Sequence, residues 1–135
     1  MKNFAITPEM LATIGGAFYP KGHSVLMFEN EGLARDAAHR LVERGAATAD
    51  EIHFIAPAVL LEQITPTVAD SDNPLPSPGT DASTVRAFTA LAREGHAALL
   101  VPTPEDENRD AVMAALEGIK PSMAQRYRAL VIEDL

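Results

Sequence analysis

The sequence predicts an α/β domain of the ferredoxin-like kind, an α+β arrangement built from two βαβ units in tandem, and three observations carry that reading. The runs Ser24 to Phe28 (SVLMF) and Ala97 to Val101 (AALLV) are short and almost wholly apolar, as strands covered on both faces are. Each is followed by a stretch whose apolar residues recur at helical spacing. The first of these leads on to another short apolar run, and strand, helix and strand within roughly 35 residues is a βαβ unit with a right-handed crossover. The expected order over residues 1–135 is an N-terminal helix, β-α-β, a helix-loop-helix insertion and a second β-α-β. A four-stranded parallel doubly wound sheet uses the same elements and is the alternative.

Taken in order, residues 1–23 begin with a helix-entry signal. Thr7 can cap free amides, Pro8 suits the first helical position and Glu9 sits at the positive end of the dipole. Met10, Leu11 and Ile14 then recur at helical spacing, and Gly15-Gly16 stops the run. Pro20 and Gly22 make Ala17 to His23 an ordered connection. After the SVLMF strand, Asn30 is the expected cap of a helix whose stripe is Ala34, Ala37, Ala38, Leu41 and Val42, ended by Gly45. Ile52 to Ile55 is the second strand.

Pro57 opens a short helix carrying Val59, Leu60 and Ile64. Residues 65–80 (TPTVADSDNPLPSPGT) hold four prolines and no basic residue and form the one long loop. Asp81 or Ser83 is the expected cap of the next helix, in which Val85, Phe88, Leu91 and Ala92 share a face, and Gly95 ends it. Pro102 stops the AALLV strand, and Thr103-Pro104-Glu105-Asp106 repeats the entry logic of Thr7-Pro8-Glu9. Val112, Met113, Leu116 and Ile119 give the last helix its buried side. Pro121-Ser122 breaks it, a further turn of helix follows, and Ala129 to Ile132 form a closing strand. The two apolar strands belong in the middle of the sheet, while His53 and Glu133 suit edges.

Composition bounds the function. The chain has 47% hydrophobic and 22% charged residues, as globular proteins do, and no cysteine, which excludes disulfides, thiolate nucleophiles and Cys-type metal sites. A formal net charge of −8 argues against a protein that neutralises phosphate backbones. The N-terminus lacks a signal-peptide segment and no apolar run approaches the roughly 18 residues that span a bilayer, so no membrane partner and a cytoplasmic location are expected.

The segment Ser24 to Ile55, SVLMFENEGLARDAAHRLVERGAATADEIHFI, resembles the opening βαβ unit of small bacterial general stress proteins of the heat-induced type. The later REGHAALLVPTPEDE is similar to the same family's Gly-strand-acidic-turn segment. The likeness covers about half the chain; Asn3 to Gly22 and the proline loop have no counterpart. The family carries no established catalytic motif, so the resemblance implies a link to stress and transfers no functional residue.

His23, His39, His53 and His96 are the histidines, and none stands in a metal-ligand pattern. His23 is the most suggestive, because it lies with Tyr19 and Lys21 in a Gly/Pro turn feeding a central strand; these three are the catalytic candidates. His96 also precedes a central strand. In a fully parallel sheet it would share an end with His23, and in the ferredoxin-like sheet it lies at the opposite end. Thr80 and Ser83 at a helix start, with Arg86 in the first turn, could hold a small anion, and with His96 they are the ligand-binding candidates. Glu105, Asp106, Glu107 and Asp110 read as a solvated helix start rather than a metal site. Arg126, Tyr127 and Arg128 form the only compact basic-aromatic cluster, a local surface or dimer contact before an RNA site. No residue points to a particular cofactor.

The sequence therefore leads to a non-enzymatic cytoplasmic module, stress-linked, that binds a partner or small ligand and associates with itself as a homodimer or other homo-oligomer. The rival is a small enzyme or anion-binding protein that uses the Tyr19, Lys21 and His23 turn.

Overall fold

In the computed structural model, which describes residues 1–68 and 81–135, a six-stranded sheet carries helices on both faces. The strands are β1 (Lys2–Asn3), β2 (His23–Phe28), β3 (His53–Ile55), β4 (Ala97–Pro102), β5 (Met123–Tyr127) and β6 (Ile132–Asp134), in the order β1-β3-β4-β2-β5-β6. The helices are α1 (Glu31–Glu43), α2 (Pro57–Val59), α3 (Asp81–Arg93) and α4 (Asp106–Ala115). As expected, β2 and β4 are central, and they pair antiparallel from His23 opposite Pro102 to Phe28 opposite Ala97. Only the β1–β3 pair is parallel, so the parallel doubly wound alternative is overturned. The order is also not that of a simple four-stranded sheet, because β1 and β6 extend it at both edges.

Alternation along the central strands sends two sets of side chains to two cores. Leu26, Phe28, Leu99 and Val101 face α1 and α4, where they meet Ala34, Ala37, Leu41 and Val112. The small alanines of α1 let the helix lie close on the sheet, and Asn30 caps it as expected by accepting from the Leu33 amide at 2.8 Å. Val25, Met27, Ala98 and Leu100 face the insertion, where Leu60, Ile64, Val85 and Phe88 cover them together with Phe4 and Phe18 from the N-terminal segment. Strands that feed a core on both faces have little room for polar side chains, and the buried Ser24 of β2 is paired with Thr103, which is why the rest of each sequence reads as an apolar run.

Several expectations are corrected. Residues 1–23 contain no α-helix: Lys2–Asn3 joins the sheet beside β3, Pro8–Met10 is one 3₁₀ turn, and Leu11 bridges Phe18. The cause lies in Gly15 and Gly16, both at positive φ, which turn the chain back so that Phe18 is buried while Ile14 is 90% exposed. Thr7 spends its hydroxyl on the Glu9 carboxylate rather than on a backbone amide. The edge placement of His53 is also corrected, since β1 lies outside β3.

At the other end, no helical turn follows Pro121-Ser122. Strand β5 begins at Met123, and Ala129 to Val131, expected in a strand, lie in the turn of a β5–β6 hairpin closed by the Arg128 amide donating to the Val131 carbonyl at 2.9 Å. The α4 helix starts later than Thr103 and Pro104 suggest: Glu105 is its cap, in a reciprocal arrangement with Asn108. Ser83 lies inside α3 rather than capping it. Past α2 the backbone widens to a π-type turn over Leu60–Ile64 and tightens to a 3₁₀ turn over Thr65–Thr67, while residues 69–80 of the expected proline loop lie outside the described residues.

Candidate functional site

At one end of the sheet β2 begins, β4 and β5 finish, and α4 starts. Their meeting point is an open cleft of about 770 Å³ lined by Lys21, Gly22, residues 103–107 and residues 126–129. Gly22 is the pivot. At φ +79° it adopts a conformation that an L side chain rarely takes, and it receives the chain on both sides. Its amide donates to the Tyr127 carbonyl and its carbonyl accepts from the Thr103 amide, each at 2.9 Å.

Below the cleft lies a polar cluster centred on a buried arginine. Arg126 stands directly opposite Ser24 across β2 and β5 and is 3% exposed. Its Nε donates to the Thr103 carbonyl at 3.0 Å, Nη2 to the Pro104 carbonyl at 3.3 Å, and Nη1 to Asp106 at 2.8 Å and Glu133 at 3.1 Å. Beside it the buried hydroxyls of Ser24 and Thr103 pair at 2.6 Å. Arg109 reinforces the cluster by donating to Glu133 and to Asp110, each at 3.0 Å. The hydrogen bond from Arg126, with Arg109 close by, holds the Asp106 carboxyl below its usual range. A guanidinium so fully engaged fastens the start of α4 to the sheet and has little left to offer a ligand.

The cleft walls differ from that floor. Lys21 and Arg128 are exposed, and neither forms an ion pair among the described residues. The same lining holds Glu105, Asp106 and Glu107 of the α4 start, and the Arg128 charge adds to what lowers the Asp106 carboxyl. The cleft thus carries exposed charges of both signs.

The three catalytic candidates lead into three different surroundings. The Tyr19 hydroxyl donates to the Arg128 carbonyl at 2.5 Å, and its ring meets that of Tyr127 edge to face with centroids 4.9 Å apart. Burial, then the Asp81 charge, raises the Tyr19 pKa, which disfavours the phenolate a base would need. Lys21 lines the cleft. His23 contacts the Lys21 carbonyl through Nδ1 at 3.0 Å and is not among the cleft-lining residues.

His23 shares its face of the sheet with His53. Both open strands that run antiparallel to β4, so β2 and β3 are parallel to each other and start at the same end. Burial, then Lys2 and His23, lowers the His53 pKa below 6.5 against an opposing backbone hydrogen bond to Glu51, and its Nδ1 is buried with no hydrogen-bond partner among the described residues. Sequence reasoning could have found this pairing, since a split βαβ unit puts its two strand starts at one end.

His96 lies at the opposite end of the sheet from His23, as the antiparallel reading requires, and its Nδ1 meets the Ser122 hydroxyl at 2.8 Å. Of the other ligand-binding candidates, Thr80 falls outside the described residues. Arg86 faces not the start of α3 but a separate cavity beside Thr65 and Thr89. Among the described residues no group of three or more His, Asp or Glu is placed to hold a metal ion, and no helix is long and apolar enough to cross a membrane.

What the sequence missed is Arg126 as a buried residue. The signal was faint: in MAQRY the positions alternate, with Ala124 and Arg126 sharing one face, but an arginine on that face reads as solvent-facing. Compared with known proteins, the chain matches no family model, no curated protein and no solved structure.

Proposed function

We propose that this protein is a non-enzymatic binding module that takes a small ligand bearing both charges, of the amino-acid or dipeptide kind, in the sheet-end cleft. The observation that carries the proposal is that one cleft is lined by exposed Lys21 and Arg128 together with exposed Glu105 and Glu107. A carboxylate would meet the two cations and an ammonium the carboxylates, each by charge-assisted hydrogen bonds. Binding rather than catalysis is favoured because the Tyr19 hydroxyl and the His23 Nδ1 are directed at the carbonyls of Arg128 and Lys21, contacts that fix the turn itself.

The ferredoxin-like description belongs to the same reading and is supported by the inner strand order β3-β4-β2-β5, antiparallel throughout. Self-association is also proposed. Strands β1 and β6, of two and three residues, offer little edge to pair. The hairpin tip is the better contact, with Leu130 94% exposed and Val131 59% exposed beside the cleft. The cytoplasmic, stress-linked setting rests on the family resemblance and the absence of cysteine. Light scattering tests the association: a mass equal to one chain at all concentrations removes it, and a dimer that dissociates in Leu130→Asp supports it.

Binding is tested by isothermal titration with free amino acids and dipeptides. A saturable isotherm that weakens about ten-fold in Arg128→Gln supports the proposal. Heats indistinguishable from dilution across the set reject it.

A further inference from the structure

A second cavity lies on the insertion face of the sheet, between α3 and the segment that precedes the proline-rich stretch. Thr65, Val68, Val85, Arg86, Thr89 and Arg93 line about 220 Å³ there. Arg86, Thr89 and Arg93 are spaced three and four residues apart, so they share one face of α3. At 1.5 Å of rise per residue the two arginines are set about 10 Å apart along the axis, one on each side of Thr89. In a chain of net charge −8, the described lining of this cavity contains two guanidinium groups, two hydroxyls and no carboxylate.

The hydroxyls add a donor. Thr65 and Thr89 meet at 2.7 Å, an arrangement that uses one hydroxyl hydrogen and leaves the other to be donated elsewhere. Arg93 is exposed and makes no ion pair among the described residues, unlike Arg109 and Arg126. Arg86 is already engaged by another group, but a guanidinium has five N–H donors and keeps its charge whatever it touches. Among the described residues, apolar Val68 and Val85 also line it, and apolar neighbours strengthen ionic hydrogen bonds made beside them.

We propose that this cavity binds a phosphate-type oxyanion, held by Arg86 and Arg93 with the Thr65–Thr89 hydroxyl pair. Two planar guanidinium forks match the oxygens of a tetrahedral dianion, and Arg is the side chain suited to that geometry. The cavity holds one such anion with a few waters, each of which takes about 30 Å³ in the liquid. The site is separate from the sheet-end cleft, with which it shares no lining residue, and it does not depend on the ligand proposed there.

The test is isothermal titration of the full chain with inorganic phosphate at mildly alkaline pH, against chloride at matched ionic strength, with glycerol 3-phosphate as a second probe. Wild-type protein is expected to bind phosphate saturably, and Arg93→Gln to bind it about ten-fold more weakly. Arg93→Lys should fall between the two, since it keeps the charge and loses the fork. Lys120→Gln, exposed and outside both cavities, should bind phosphate as wild type does. Tighter binding of glycerol 3-phosphate than of phosphate identifies the group as part of a larger phosphomonoester, and equal or weaker binding identifies the free anion. Because Arg93 is exposed, its variants should melt in chloride at the wild-type temperature, which separates lost binding from lost folding. No saturable phosphate binding by the wild type, or equal affinity in Arg93→Gln, overturns the proposal.

Discussion

Arg126 and Arg128 are separated by a single residue, yet one is 3% exposed with donors on four acceptors and the other is exposed with no ion pair among the described residues. Both touch the same cleft. The difference comes from strand geometry: β5 ends at Tyr127, so Arg126 still obeys the alternation that directs it beneath α4, whereas Arg128 has entered the hairpin turn. A buried arginine whose donors are satisfied holds structure together, and an exposed one beside a cleft is free to meet a ligand. As sequence neighbours the two read as one basic patch; as side chains they do opposite work.

The largest expected effect separates them directly. Arg126→Met should cost about 2–4 kcal/mol in urea unfolding, near the lower part of the range for breaking a buried ion pair, because the Asp106 and Glu133 side chains left behind are 63% and 28% exposed and can be partly hydrated. An unchanged midpoint would show that the cluster contributes nothing to stability. Ser24→Ala is next. It leaves the buried Thr103 hydroxyl without its partner and should cost about 1 kcal/mol by the same measurement.

A pH dependence probes the other face at this end of the sheet. Because His53 has a folded pKa below 6.5, the unfolded chain takes up its proton first. The stability that this histidine confers is therefore complete above that value and lost as pH falls from it through the folded pKa. Unfolding curves should show wild-type stability dropping between neutral and mildly acidic pH, with a smaller slope in His53→Gln. Equal slopes would mean that the imidazole is as easily protonated in the fold as out of it.

The smallest effect on stability belongs to Arg128→Gln, within about 0.5 kcal/mol of wild type, as for an exposed charge with no partner. The same change should weaken ligand binding, and added salt should weaken binding in the wild type, since Lys21 and Arg128 are both exposed. A variant that loses stability and keeps binding would reverse the roles assigned to the two arginines.

Much of this architecture could be read from the residues, and the reasons for the rest are physical. The central strands and α1 were legible because burial on both faces and an alanine stripe leave unmistakable patterns. The N-terminal helix was not, because Met10, Leu11 and Ile14 have helical spacing while Gly15-Gly16 and the burial of Phe18 favour a turned-back chain. Tertiary packing overrode a local signal. The closing hairpin was hidden for a related reason: in MAQRY an inward arginine disguises the strand, and the apolar ALV that follows is an exposed turn. Of the site, Lys21 was legible through its Gly/Pro turn, whereas its sharing a cleft with Glu105 and Glu107 depends on which strands end together.

The measurement that bears most directly on the cleft is an amide NMR titration of the full chain with a dipeptide. Saturable shifts should gather at Gly22, Thr103, Glu107 and Arg128 in the wild type and shrink in Arg128→Gln, with His96 at the far end of the sheet unmoved. No saturable shifts at these positions, or shifts of the same size and affinity in Arg128→Gln, would contradict the account.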